Sequence, residues 1–160
     1  MNTFFIRKPD MTVAGVSIRT TNEAEMGPDG GLAKLWEMYF HSNVVGQIDT
    51  NKPEYIYALY TDYESDASGA YTVVIGHEVK HERSLEDSQL VYSYVPESKY
   101  MVFTTKKGPV FEVVSQAWGE IWAYFQDAEE VRTFTGDFER YDSRNFDPAH
   151  TEVEIYIAIK

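Results

Sequence analysis

The sequence predicts an α+β fold built from two β-α-β-β units that are related by pseudo-twofold symmetry around a central ligand cleft. Segments with the alternation of strands and segments with the periodicity of helices occur twice in the same order. Residues of the two halves also match at fixed offsets, and both predicted helices carry a tryptophan at the matching position. Duplicated units usually pack about a twofold axis, and the seam between them is a natural cleft.

The first unit, about residues 1–82, begins with an alternating strand over residues 11–20. A turn at 27–31 precedes a helix over about 31–44, in which apolar residues recur at helical spacing. The remaining predicted elements are a tyrosine-rich strand Tyr55–Tyr63, a turn at 65–69, a strand Tyr71–Lys80 and an acidic loop His81–Gln89.

The second unit covers about residues 90–160, so that both units form one domain, 1–160. Its predicted elements are strands Leu90–Val95 and Tyr100–Thr105, a helix from Val110 to about Ala128, and strands Phe138–Asp142 and Thr151–Lys160. On the last strand the face formed by Val153, Ile155, Ile157 and Ile159 is apolar and should pack on the helices. Glu154, Tyr156 and Ala158 face the other way.

The evidence for duplication lies in matched residues. At an offset of 86 the matched pairs are Val16 with Val102, Leu35 with Ile121 and Trp36 with Trp122. At an offset of 80 they are Ile75 with Ile155 and Val79 with Ile159. Chance matches are possible in any one pair, but the order of elements agrees as well.

Composition excludes several classes of protein. The 160 residues include no cysteine, which rules out disulfides and thiolate metal sites and agrees with a cytoplasmic location. No apolar run approaches the roughly 20 residues of a transmembrane helix, and the N-terminus has no signal-peptide pattern. The net charge of -12 disfavours direct binding to nucleic acid and favours cationic ligands or basic protein surfaces. The aromatic content of 15% suggests an aromatic-lined site.

One short segment matches the sequence signature of a metal site. His77-Glu78-Val79-Lys80-His81 spells the zinc-protease signature, which requires both histidines on one face of a helix. Here the preceding residues predict a strand, in which four residues span about 13 Å, too far for easy chelation of one ion. We therefore predict no metal, no cofactor and no catalytic residues of this kind.

Several segments together resemble the GyrI-like family, which also occurs as the effector-binding domain of AraC-type and MerR-type multidrug regulators. These segments span nearly the whole chain. In the first half they are 12–15, 57–62 and 74–79, and in the second half 100–103 with Gly108, 117–122, 138–141 (Phe-Glu-Arg-Tyr) and 153–159.

The resemblance implies a duplicated β-α-β-β fold whose cleft binds lipophilic, often cationic or aromatic compounds. It also implies a glutamate on the last strand as the counter-charge, and Glu154 matches that position. The chain departs from the family's regulators because it has no helix-turn-helix segment, so we expect a stand-alone ligand-binding or drug-sensing module. Single-domain relatives include a DNA gyrase inhibitor and hydrolases of cyclopropane-containing compounds.

The predicted ligand-binding residues combine this glutamate with aromatic side chains, because a cation can be held by charge and by ring faces. They are Glu154, Tyr156, Trp122, Trp36, Phe125, Tyr57, Tyr60 and Trp118. The helix aromatics fit an ordinary core role equally well.

Two other functions stay open. The same cleft could belong to a hydrolase of reactive small electrophiles, in which Glu154 activates water, although no partner base is evident. Alternatively, the acidic surface could bind a basic protein in the manner of a gyrase inhibitor. The expected partner is a small-molecule ligand, with no nucleic acid and no membrane, while a protein partner or a homodimer stays as an alternative.

Overall fold

The structure is a computed structural model that describes residues 2–28, 30–50, 52–66, 68–80, 90–144 and 146–160. Within these ranges, eight strands and three α-helices follow one another. The strands are β1 (Asn2–Lys8), β2 (Met11–Thr20), β3 (Tyr55–Thr61), β4 (Tyr71–Val79), β5 (Val91–Val95), β6 (Ser98–Thr104), β7 (Asp137–Asp142) and β8 (Glu154–Ile159). The helices are α1 (Asn22–Glu25), α2 (Leu32–His41) and α3 (Val110–Asp127), and a 3₁₀ turn covers Val44–Gln47.

All strands pair antiparallel in one sheet with the order β1-β6-β8-β7-β3-β4-β2-β5. The order is symmetric about the β3–β7 contact: β2-α2-β3-β4 forms one side and β6-α3-β7-β8 the other. The predicted α+β fold with two β-α-β-β units is therefore confirmed. The predicted seam lies where β3 and β7 pair.

The ends of this order meet through two matching corners. Pro9-Asp10 joins β1 to β2, and Pro96-Glu97 joins β5 to β6. The β1–β6 pairing ends at Lys8 with Ser98, and the β2–β5 pairing resumes in the same register at Met11 with Val95. β1 and β2 thus form one long bent strand, and β5 and β6 form another. These two long strands pair with each other, so the sheet closes on itself.

This closure explains why both faces of the sheet are buried although helices cover only one. The helix-facing cluster includes Leu35 of α2 and Ile121 of α3, packed with strand residues such as Ile75 and Ile155. The inner cluster, as far as the structure describes the chain, consists of strand residues alone, among them Leu59 and Phe138. Val153, Ile155, Ile157 and Ile159 all belong to the helix-facing cluster, as the alternation predicts.

Several details differ from the sequence-based prediction. β1 was not predicted, since Phe4, Phe5 and Ile6 show no alternation and all three are exposed on this edge strand. Val16 and Val102 are not equivalent, because Val16 packs toward the helices and Val102 lies in the inner cluster. The corner prolines, Pro9 and Pro96, instead indicate that the two halves match here at an offset one residue longer than 86. The predicted loop His81–Gln89 lies outside the described residues.

The helices carry the apolar stripe that their spacing predicts. In α3, Val113, Ala117 and Ile121 are buried, and in α2 Leu35 and Tyr39 are. Helix α2 ends at His41, earlier than predicted, and the chain continues into the 3₁₀ turn. None of the helices in the described part of the chain is long and apolar enough to cross a membrane.

Candidate ligand-binding site

A buried glutamate lies at the centre of the fold. Glu139 is on β7, is 3% exposed, and pairs directly across the seam with Ala58 of β3. Tyr60 and Tyr141 are the next residues on the same face of these two antiparallel strands, so they approach the Glu139 carboxylate from opposite sides. The alanine leaves the carboxylate without a large side chain opposite it.

Three side chains donate hydrogen bonds to this carboxylate. Tyr60 Oη lies 2.8 Å from Glu139 Oε2, and Trp118 Nε1 lies 2.7 Å from the same oxygen. Tyr141 donates to Oε1. Hydrogen bonds to a charged acceptor are worth about 1.5–3 kcal/mol each, so this cradle favours an ionised glutamate.

Aromatic rings from both helices close over the seam. Trp36 of α2 contacts Tyr141 of β7 at 5.2 Å between ring centroids, edge to face. Trp118 of α3 contacts Tyr60 of β3, also at 5.2 Å. Each tryptophan therefore reaches across from its own half to the other, and both remain partly exposed. The arrangement is a carboxylate floor with aromatic walls.

Burial and hydrogen bonding oppose each other at Glu139. Burial raises the pKa of Glu139 above its ordinary value of 4.5, while the bonds from Tyr141, Trp118 and Tyr60 lower it. Burial, and next the nearby Glu139 charge, raise the pKa of Tyr60 and of Tyr141 well above 10.0, so both phenols stay protonated and remain donors.

Among the residues that the structure describes, no lysine or arginine forms an ion pair with Glu139. The neighbouring buried carboxylate is different: Asp137, on the same face of β7, pairs with Arg132 at 2.7 Å. A buried carboxylate without a cation is costly, and such groups often mark functional sites.

The predicted site residues divide between the two faces of the sheet. Trp36, Trp118, Phe125 and Tyr60 pack on the helix-facing side. Trp122 contacts the ring of Trp118 on α3. Tyr57 and Tyr156 belong to the inner cluster, and Glu154 is on the same side as Tyr156. The structure therefore brings Tyr60, Trp118 and Trp36 to one site and separates them from Glu154, Tyr156 and Tyr57.

Glu154 is not the buried glutamate that we expected opposite the tryptophans. Its side chain is 28% exposed and forms an ion pair with Arg140 of β7. The guanidinium of Arg140 lies 4.5 Å from the ring centroid of Tyr55 and 5.5 Å from that of Tyr156. The charge of Glu154 is thus already matched by a cation of the chain itself. Alternation along the last strand places Glu154 on the face away from the helices and therefore away from the tryptophans.

Glu139 was missed although it lies within Phe138-Glu139-Arg140-Tyr141, a segment quoted for the family resemblance. The signal that identifies it is strand alternation: Asp137, Glu139 and Tyr141 share one face, and Phe138 takes the other. Three polar residues on the face toward apolar helices predict a buried polar site.

His77 of the zinc-protease-like motif has a structural role. It is buried in β4, its Nε2 lies 2.6 Å from Tyr39 Oη of α2, and its Nδ1 lies 2.8 Å from the carbonyl oxygen of Tyr55. Both ring nitrogens are therefore used in tying α2 to the sheet. His81 lies outside the described residues. Within the described ranges, no group of three or more His, Asp and Glu could hold a metal ion.

Comparison with known proteins agrees with this architecture. The Bacillus subtilis (strain 168) protein YobU, named as a candidate transcriptional regulator, is 37% identical over 150 residues, which is 92% of this chain and 91% of YobU. An integron cassette protein from the mobile metagenome of Vibrio cholerae has 32% identity and a TM-score of 0.77, covering 99% of this chain and 95% of its own.

A structure of SAV2435 bound to tetraphenylphosphonium has a TM-score of 0.78 at 21% identity, covering 100% of this chain and 94% of its own, which shows a shared fold. Residues 6–159 match the sequence profile of a family, Cass2, described as integron-associated effector binding protein. The predicted resemblance to effector-binding proteins is thus confirmed, and the chain belongs to the Cass2 family of integron-associated effector-binding proteins.

Proposed function

We propose that this protein binds lipophilic cations between α2 and α3, with Glu139 as the counter-charge, and that it acts as a ligand-sensing module. The single observation that carries the proposal is a buried carboxylate that has three hydrogen-bond donors and no cation among the described residues. A bound cation would supply the missing charge. Family membership supports effector binding in general.

The walls of the site suit the same class of ligand. The indole rings of Trp36 and Trp118 present π-faces, which attract cations by about 0.5–2 kcal/mol when water is excluded. The net charge of -12 raises the local concentration of cations around the protein. The SAV2435 structure, which has this fold and holds tetraphenylphosphonium, provides a probe of suitable chemistry.

Access to Glu139 requires movement. The carboxylate is almost fully buried in this structure; the partly exposed Trp118 donates a hydrogen bond to it, and the partly exposed Trp36 packs on its other donor, Tyr141. A ligand must therefore displace at least one indole and take over part of its contact with the tyrosines. Binding should consequently change the fluorescence of these tryptophans.

The proposal is tested by titrating tryptophan fluorescence with tetraphenylphosphonium and, as a neutral control of related shape, triphenylphosphine oxide. We expect a saturable change at micromolar tetraphenylphosphonium, and binding of the neutral compound at least tenfold weaker, because a charge contact of about 1.4 kcal/mol gives that factor. Equal affinity for both compounds, or no saturable change with either, would refute the cation-binding function.

A further inference from the structure

A second buried carboxylate lies beside the site, and the protein pairs it with a cation of its own. Asp137 is fully buried and two positions from Glu139, so both side chains leave the same face of β7 from Cα positions about 7 Å apart. Arg132 Nη2 lies 2.7 Å from Asp137 Oδ2, and the side chain of Arg132 is only 7% exposed. Tyr63 Oη donates to the same oxygen at 2.7 Å, and the backbone N–H of Ala158 donates to Oδ1 at 2.8 Å.

The guanidinium of Arg132 is surrounded by aromatic rings, as a lipophilic cation would be. Its centre lies 4.4 Å from the ring centroid of Phe134 and 5.9 Å from that of Phe125 on α3. Phe134 has a φ of 55°, a backbone region that bulky residues seldom adopt. The chain tolerates this conformation where the ring covers Arg132, so the position of the ring is tightly constrained.

A row of aromatic side chains on α3 joins the two carboxylates. Trp118, Trp122 and Phe125 share one face of the helix at intervals of four and three residues. Trp118 binds Glu139, Phe125 packs against Arg132, and Trp122 contacts Trp118 at 6.3 Å between centroids. The site of Glu139 and the site of Asp137 are thus two ends of one aromatic-lined strip over β7.

We infer that Arg132 determines how many positive charges a ligand of this protein can carry. This inference rests on the proposed cation binding at Glu139. With Arg132 in place, the strip holds two carboxylates and one guanidinium, so a single positive charge neutralises it. A ligand with a second charge would leave that charge buried without a partner, which is strongly unfavourable. Without Arg132 the strip presents two free carboxylates, which match a dication.

The experiment compares two flat aromatic probes of similar shape. N-methyl-4-phenylpyridinium carries one charge, and methyl viologen carries two, one on each ring. Dissociation constants of both are measured by calorimetry at pH 8 for the wild type, for Arg132→Met and for the double variant Arg132→Met/Asp137→Asn. The double variant removes both charges of the pair, a change that proteins often tolerate.

The wild type should prefer the monocation. In Arg132→Met the preference should shift toward methyl viologen by at least tenfold, and in the double variant it should return to the wild-type ratio. If the ratio of the two dissociation constants in folded Arg132→Met stays within twofold of the wild-type ratio, the inference is overturned. In that case, binding of the monocation by the wild type still upholds the proposed function. Failure of the wild type to bind either probe would overturn both.

Thermal unfolding tests Arg132→Met even where the variant is too unstable for calorimetry, because a ligand raises the melting temperature of the folded protein that binds it. In that case methyl viologen should raise its melting temperature more than equimolar N-methyl-4-phenylpyridinium does. Equal shifts with the two probes would contradict the inference.

Discussion

Replacing Glu139 by Gln removes the proposed counter-charge and keeps the size of the side chain. Two unit charges 4 Å apart interact by about 4 kcal/mol at an effective dielectric constant near 20, and the dehydration of the carboxylate offsets part of this gain. A net loss of about 1.4–4 kcal/mol corresponds to roughly tenfold to thousandfold weaker binding. We therefore expect tetraphenylphosphonium to bind Glu139→Gln at least tenfold more weakly than it binds the wild type.

Glu154→Gln is the matched control, since it makes the same chemical change on the other face of the sheet. Its affinity for tetraphenylphosphonium should stay within about twofold of the wild type, because Glu154 is already paired with Arg140. Isothermal titration calorimetry measures both variants, and circular dichroism checks that they fold. Retained affinity in folded Glu139→Gln, or a larger loss in Glu154→Gln, would refute the assignment of the counter-charge.

Three further perturbations test the structure. The raised pKa of Glu139 means that the folded state holds this proton more tightly, so the contribution to stability is full below pH 4.5 and is lost as the pH rises; in urea unfolding, the unfolding free energy of the wild type should fall relative to that of Glu139→Gln as the pH rises from 4.5, and a constant difference would contradict the raised pKa. Burial lowers the pKa of His77 below 6.5, so the contribution of His77 to stability is full above pH 6.5 and is lost as the pH falls; in urea unfolding, His77→Gln should lack this part of the pH dependence. Gly76→Ala would place a Cβ 1.8 Å from the carbonyl oxygen of Ala14 and should lower the unfolding free energy by more than about 3 kcal/mol. The control Gly119→Ala adds a Cβ that meets nothing within 4 Å on helix α3, and it should raise the unfolding free energy by about 0.5–1 kcal/mol. Equal effects of the two substitutions would argue against the close approach of β2 and β4.

Local patterns in the sequence were sufficient to predict most elements and the α+β class. Alternation located the strands that contain Val73 and Ile155, and helical spacing located both long helices, because each buries one face in the core. β1 escaped prediction because its side chains are exposed on both faces, so no pattern of burial shaped its sequence. The closure of the sheet depends on pairing between residues far apart in sequence, such as Met11 with Val95.

The structure brings three of the predicted site residues, Tyr60, Trp36 and Trp118, together on the helix-facing side of the seam. Their role in ligand binding stays a prediction. Glu139 was not among the predicted site residues, because the family resemblance implied a glutamate on the last strand and the alternation of Phe138-Glu139-Arg140-Tyr141 does not by itself say which of its two faces is turned toward the helices. Which face points toward the helices follows from tertiary packing rather than from the residue itself.

The central claim is that a lipophilic cation sits against Glu139, and a crystal structure with tetraphenylarsonium tests it most directly. Arsenic gives an anomalous signal that locates the centre of the cation without any assumption about the fit of its rings. We predict a single strong anomalous peak on the helix-facing side of the β3–β7 seam, between Trp36 and Trp118 and nearest to the Glu139 carboxylate. A peak beside Glu154 and Arg140 on the opposite face would contradict the account.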